Sequence, residues 1–226
     1  MSRVLPILFN TDMVRAILDG RKTVTRRVIK PQPKAKIAYR CAGYGCGKWS
    51  HPGKDAWKYW DDESFRLPED LSDAELSKMW TPPCHTGDIL YVRETWDSMV
   101  GISYGDLSAD TVYFYKAEGD FRPAAQRGKW RPSIRMPKEA ARIWLKVTDV
   151  RVERLQDITA EDVVKEGTTG FDMEHIADLE EHFDIPFAAL WDSTIKKSDL
   201  DRYGWDANPW VWVIEFERCE KLESEG

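Results

Sequence analysis

The sequence predicts a β-barrel-like α+β fold, because strand-like segments are many, helical ones are few, and no regular strand-helix alternation or internal repeat runs through the chain. At 226 residues the chain can bury a substantial core as one domain spanning 1–226. Its 42% hydrophobic and 32% charged residues place it with globular proteins, and no apolar run approaches bilayer length, so no membrane partner is expected. Met1-Ser2-Arg3 leads straight into Val4-Leu5-Pro6-Ile7-Leu8-Phe9 without a secretory pattern, which makes the cytoplasm the expected compartment.

The elements follow in order. Val4 to Phe9 is β-rich and reads as a strand. Asn10 or Thr11 then caps a helix whose Met13, Val14, Ile17 and Leu18 recur at three- and four-residue steps, and Gly20 sits where helices end in a left-handed residue. Thr23-Val24-Thr25 alternates as a half-buried strand would, with both threonines on one face and Val24 on the other. Pro31-Gln32-Pro33 stops regular structure. Residues 34–86 form a polar, aromatic-rich inserted loop region with one short helix around Leu71 to Met79. After a turn at Gly87-Asp88 come three predicted strands, Ile89 to Trp96, Thr111 to Lys116 and Ile143 to Val152. Thr159 caps a short helix from Ala160 to Lys165 that ends at Gly167. An acidic helical segment at about 172–200 holds a helix from Met173 to Trp191 that Pro186 must kink or divide. Trp210 to Glu217 alternates as a closing strand.

Net charge is −6, which argues against bulk nonspecific nucleic-acid binding, yet the charge is polarised. Residues 1–40 hold ten Arg or Lys against Asp12 and Asp19, whereas residues 151–226 hold eight against twenty acids. A second basic stretch comprises Arg127, Lys129, Arg131, Arg135, Lys138 and Arg142. Both stretches suit an anion-facing surface, and both also suit solvated cationic faces with no partner. The eleven Trp are mostly expected in the core, although Trp96 and Trp130 beside cations have the composition of a base-stacking surface.

The densest chemistry lies in Gly20-Arg21-Lys22-Thr23-Val24-Thr25-Arg26-Arg27, which sets four cations and two hydroxyls immediately after a helix stop. Lys22, at the helix-to-strand junction, is positioned to reach the Thr25 hydroxyl. By local pattern alone the run also fits a solvated basic turn.

That run, followed by Gly87-Asp88-Ile89-Leu90-Tyr91-Val92, by Leu155-Gln156-Asp157-Ile158-Thr159 and by Trp212-Val213-Ile214-Glu215-Phe216, resembles the ASCH domain family of the PUA-like superfamily. Val92-Arg93-Glu94-Thr95-Trp96, Trp130-Arg131-Pro132-Ser133-Ile134 and Trp205-Asp206-Ala207-Asn208-Pro209-Trp210-Val211 look like the longer form found in bacteriophages and prophages. The likeness runs from about residue 5 to 218, with 34–83 matching poorly. It implies a PUA-like β-barrel with flanking helices and a pocket suited to a nucleobase or RNA segment. Small members of the family include an amidohydrolase that deacetylates N4-acetylcytidine with a lysine, a threonine and a glutamate, which match Lys22, Thr25 and Glu166. Arg21, Arg26, Arg27, Arg93, Glu94 and Arg131 are the substrate-binding candidates, with an Arg93–Glu94 cross-strand ion pair as the plain reading of that pair. No cofactor is required.

Three functions share this fold: an amidohydrolase on acylated cytidine, a noncatalytic reader of RNA or a modified base with DNA also open, and a ribonuclease. Cys41, Cys46, Cys84 and either His51 or His85 have wide spacing for zinc, and no metal site is assigned. His175 and His182, among acids, read as a solvated face.

Overall fold

The computed structural model describes residues 2–30, 32, 81–102, 109–168 and 184–221. Most of the predicted insertion, including its helix, Cys41, Cys46 and His51, lies outside these residues, as do His175 and His182. The fold is mixed α+β with few helices: one sheet has the strand order β1-β3-β6-β7-β2 and a second pairs β4 with β5. Two compact units divide the chain, the first from residues 1–22, 87–146 and 217–226, the second from 23–86 and 147–216.

In the first unit β1 (Val4–Leu8) runs parallel to β3 (Ile89–Arg93), with Val4 opposite Ile89 and Leu8 opposite Arg93. The turn before β3 explains this register. Asp88, buried, accepts hydrogen bonds from the Arg3 backbone N–H at 2.9 Å and from its Nε at 3.0 Å, so the starts of both strands are clamped together. β3 also pairs antiparallel with the beginning of β6 (Trp144–Arg154), Tyr91 opposite Trp144.

Helix α1 (Thr11–Leu18) is capped by the Asn10 side chain, which accepts from the Met13 N–H at 2.8 Å. Its buried stripe is Val14, Ala16 and Ile17, with the flanking Met13 and Leu18 half-buried. β4 (Trp96–Ile102) and β5 (Ala109–Tyr115) form an antiparallel pair from Trp96 opposite Tyr115 onward. Ile89, Trp96, Met136, Ala140, Ala141 and Trp144 make this unit's core.

The predicted strand from Ile89 to Trp96 is two strands. The Glu94 N–H donates to the Met136 sulfur at 3.2 Å, and Trp96 exchanges backbone bonds with Arg131, so the chain leaves the first sheet at Glu94 and enters the hairpin.

In the second unit β2 (Val24–Val28) pairs antiparallel with β7 (Trp210–Cys219), Val24 opposite Glu215 and Val28 opposite Val211. The half-buried alternation expected of β2 is absent: Val24, Thr25 and Arg26 are all buried, while Thr23 is exposed. Both faces are covered: Val24 and Arg26 share the one that meets an apolar core and internal carboxylates, and Thr25, on the other, is buried as well.

Thr159 caps α2 (Ala160–Lys165) by accepting from the Asp162 N–H at 3.2 Å, and Gly167 at φ 76° ends it. Helix α3 (Asp184–Thr194) and the single turn α4 (Leu200–Tyr203) follow. Pro186 lies in α3, and the part of the predicted Met173–Trp191 helix before Asp184 lies outside the described residues. Leu155, Ile158, Val163, Phe187, Trp191, Val211 and Val213 pack with Val24 as the core. Trp191 Nε1 donates to the Tyr203 carbonyl at 2.8 Å, so the buried indole keeps its hydrogen bond.

Candidate functional site

The basic run begins at the end of α1. Gly20, at φ 76°, turns the chain so that the Arg21 and Lys22 N–H groups both donate to the Ala16 carbonyl, at 2.9 and 3.0 Å. That double bond onto one oxygen fixes the Lys22 backbone, and the Lys22 residue is only 2% exposed. Lysines are almost never buried to this degree unless partnered. Its ammonium lies 5.7 Å from the Phe9 ring centroid, within cation–π range. Arg21 stays half-exposed and pairs with Asp19 at 2.9 Å.

The second unit takes up the rest of the run. The Thr23 N–H donates to the Lys165 carbonyl at 2.9 Å, and the Phe216 N–H donates to the Thr23 carbonyl at 2.9 Å. The start of β2 is thereby tied both to the last residue of α2 and to β7. Glu166, the residue capping α2, is buried beside this junction at 6% exposure.

Arg26, whose side chain is fully buried, donates through Nη1 to Glu166 at 3.3 Å. Its Nη2 reaches Asp162 at 2.8 Å and Glu153 at 3.5 Å. Asp162 and Glu166 share one helix face by their four-residue spacing, and Glu153 comes from β6. Glu153 also bonds Arg151, which in turn contacts Glu215 and Asp149. Arg26, a substrate-binding candidate by sequence, thus has three carboxylates on its one guanidinium, so its charge is compensated on the spot. Burial pushes the half-buried Arg27 below its ordinary basicity, and the negative charge of Glu166 pulls it back.

Thr25 lies opposite Ile214 on β2 and is 1% exposed. Two buried polar atoms nearby in sequence lack a hydrogen-bond partner among the described residues: Nε of Arg26 and Oγ1 of Thr168. Leaving a buried donor or hydroxyl unmade costs about 1–3 kcal/mol, so such atoms mark places where a water or ligand group completes the site.

The remaining predicted contacts lie in the first unit. Arg93 and Glu94 are not each other's partners. Arg93 donates to the Met136 carbonyl at 2.8 Å and to the Ile134 carbonyl, while Glu94, 1% exposed, accepts from Arg142 at 2.9 and 3.2 Å. Burial raises the Glu94 carboxyl above its usual value, against the pull of Arg142. Arg131 is exposed, pairs with Asp97 at 3.2 Å and lies 5.1 Å from the Trp96 ring centroid.

Compared with protein families, with curated proteins and with solved structures, the chain finds no match.

Sequence reasoning missed three participants. Asp162 carried a signal, its four-residue step from Glu166. Glu153 carried none, since a strand residue's partner across a fold is set by pairing. Thr168 is visible only through its unsatisfied hydroxyl. Cys84 is buried and Cys219 half-buried, and no group of three metal-binding side chains occurs among the described residues.

Proposed function

We propose that this chain is an ASCH-type, PUA-like protein that recognises a cytosine nucleoside and hydrolyses its N4-acyl amide. The observation that carries the reading is the bond network joining the basic run to a residue 140 positions away: Arg26 to Glu166, beside the Thr23-to-Lys165 backbone bond. Resemblance alone nominated Glu166 as the partner of that run, and in the folded second unit the two meet.

The chemistry assigns one role to each buried group. Amide hydrolysis needs a nucleophile, a base to take its proton, and a proton for the leaving nitrogen. Thr25 supplies the hydroxyl that attacks the acyl carbon. Lys22, in its unprotonated form, takes the hydroxyl proton. That proton passes by way of Glu166 to N4 as the C–N bond breaks, and water then attacks the threonine ester, its proton returning to the Thr25 oxygen as the acid leaves. Burial of all three favours such roles, since desolvated polar groups are the material of active sites.

Incubation of the protein with N4-acetylcytidine, read by mass for cytidine and acetate, tests this. Lys22→Ala, Thr25→Val and Glu166→Gln are each expected to cut turnover by about 100-fold or more. Full activity in all three would end the proposal.

A reader without chemistry is the second reading, and the Arg26–Glu166 contact favours it, because a carboxylate held by a guanidinium is a poorer proton carrier. It predicts saturable binding of the modified nucleoside with no product.

A further inference from the structure

We propose that residues 121–138 of the first unit form a docking surface for single-stranded RNA. Within an acidic chain, these eighteen residues contain six cations, Arg122, Arg127, Lys129, Arg131, Arg135 and Lys138, and no acid. All but Arg122 are exposed. Arg127, Lys129, Arg135 and Lys138 have no salt-bridge partner among the described residues, whereas solvated faces ordinarily intersperse both signs.

The segment has little regular structure, only single 3-10 turns at Ala124–Gln126 and Ser133–Arg135 before that at Lys138–Ala140, yet its backbone is held. Arg122 is buried with its guanidinium 3.8 Å from the Trp130 ring centroid, and Arg127 Nε donates to the Arg122 carbonyl at 3.1 Å. Arg93 grips the Ile134 and Met136 carbonyls from beneath. The exposed cations therefore project from a prearranged frame, which lowers the ordering cost of binding.

Charge selects a polyanion, and the apolar groups select among polyanions. Phe121 is 74% exposed and Ile134 65%, beside the half-buried Trp130. Aromatic rings among cations stack on unpaired bases, which a duplex withholds and an acidic peptide lacks. Two large exposed apolar side chains give too small a face for insertion at a lipid surface. The preference for RNA over DNA rests on the cytidine reading above; the rest of the inference does not.

The test is fluorescence anisotropy of the full chain with a labelled twelve-nucleotide pyrimidine-rich RNA, across 50 to 250 mM salt. Five phosphate contacts predict a log–log salt slope of about −3.5 for a single strand. The double variant Lys129→Gln/Arg135→Gln is expected to reduce that slope by about 1.4 and to weaken binding at low salt by about tenfold or more. Phe121→Ala is expected to weaken it by about tenfold without changing the slope. Unaltered affinity in both variants, with unchanged thermal unfolding, would overturn the proposal. So would binding to duplex RNA or to anionic vesicles in preference to the single strand, and DNA bound as tightly as RNA would overturn the choice of RNA. Thr25→Val serves as the separating control: RNA binding should be intact in it whatever happens to nucleoside turnover, so that unchanged turnover with intact RNA binding counts against the hydrolase and leaves this surface standing.

Discussion

Two buried arginines, one in each unit, solve the same problem differently. Arg122 has every guanidinium nitrogen engaged: Nε and Nη2 bond Asp120, both at 2.8 Å, and Nη1 bonds Asp97 at 3.0 Å, with Trp130 stacked on the plane. Arg26, buried as deeply, spends both Nη groups on three carboxylates and leaves Nε without a partner among the described residues. The Arg122 cluster is closed and reads as scaffold. The Arg26 cluster has excess negative charge and an open donor, which is the condition of a place meant to receive something more.

The largest expected effect breaks the comparison directly. Arg26→Met would remove the guanidinium that Glu153, Asp162 and Glu166 share, leaving Glu153 with Arg151. Removing one partner from a buried ion pair costs about 3–5 kcal/mol, so this variant should unfold at much lower urea. Arg122→Met should lose distinctly less, because Asp97 and Asp120 retain 16% and 39% side-chain exposure and can rehydrate. Equal losses in the two urea midpoints would mean that the clusters do not differ as described.

A pH series sharpens the same contrast within the first unit. The Arg122 hydrogen bond brings Asp120 down from 3.8 to about 2, and Asp97 is lowered too, its own burial outweighed by bonds from Arg122 and the Ser98 N–H. Depressed carboxyls add stability that is fully present above their unfolded value and is lost as pH falls through the folded one. Their contribution should therefore grow between about pH 2 and pH 4. Glu94 has the opposite sign. Its folded value is raised above 4.5 by burial, so its contribution is fully present below 4.5 and declines as pH rises through the folded value. Urea midpoints of Glu94→Gln against the parent should diverge above pH 4.5 in that sense, and those of Asp120→Asn below pH 4. Parallel curves for Glu94→Gln would remove the buried-carboxylate account.

What could be read from sequence was local chemistry. Asn10, Gly20, Thr159 and Gly167 were legible because a cap or a left-handed stop is decided within four residues, and the long apolar alternations of β6 and β7 because both run through well-packed sheet. The break at Glu94 was not, since it depends on the sulfur of Met136 and the backbone of Arg131, some forty positions on. Nor was the burial of β2. A strand bearing Thr25-Arg26-Arg27 reads as half-exposed until Glu153, Asp162 and Glu166 arrive from 127 to 140 positions away to neutralise it. Of the candidate site, pattern supplied Lys22 and Thr25, resemblance supplied Glu166, and the unpaired atoms needed coordinates.

The smallest expected effect addresses those atoms. Thr168 Oγ1 has no hydrogen-bond partner among the described residues, so Thr168→Val, which keeps the shape, should hold stability or raise it by up to about 1 kcal/mol. A hydroxyl in a satisfied network would instead lose about that much on the same change. The ligand-bound state separates the two clusters further. When the hydroxyl contributes to binding, Thr168→Val should weaken nucleoside affinity severalfold while the apo protein melts no earlier, a pairing that a purely structural threonine cannot produce. Thermal unfolding with and without saturating nucleoside measures both quantities in one experiment: an earlier apo transition would assign Thr168 to a closed network like that of Arg122, and an unchanged ligand shift would remove it from the site.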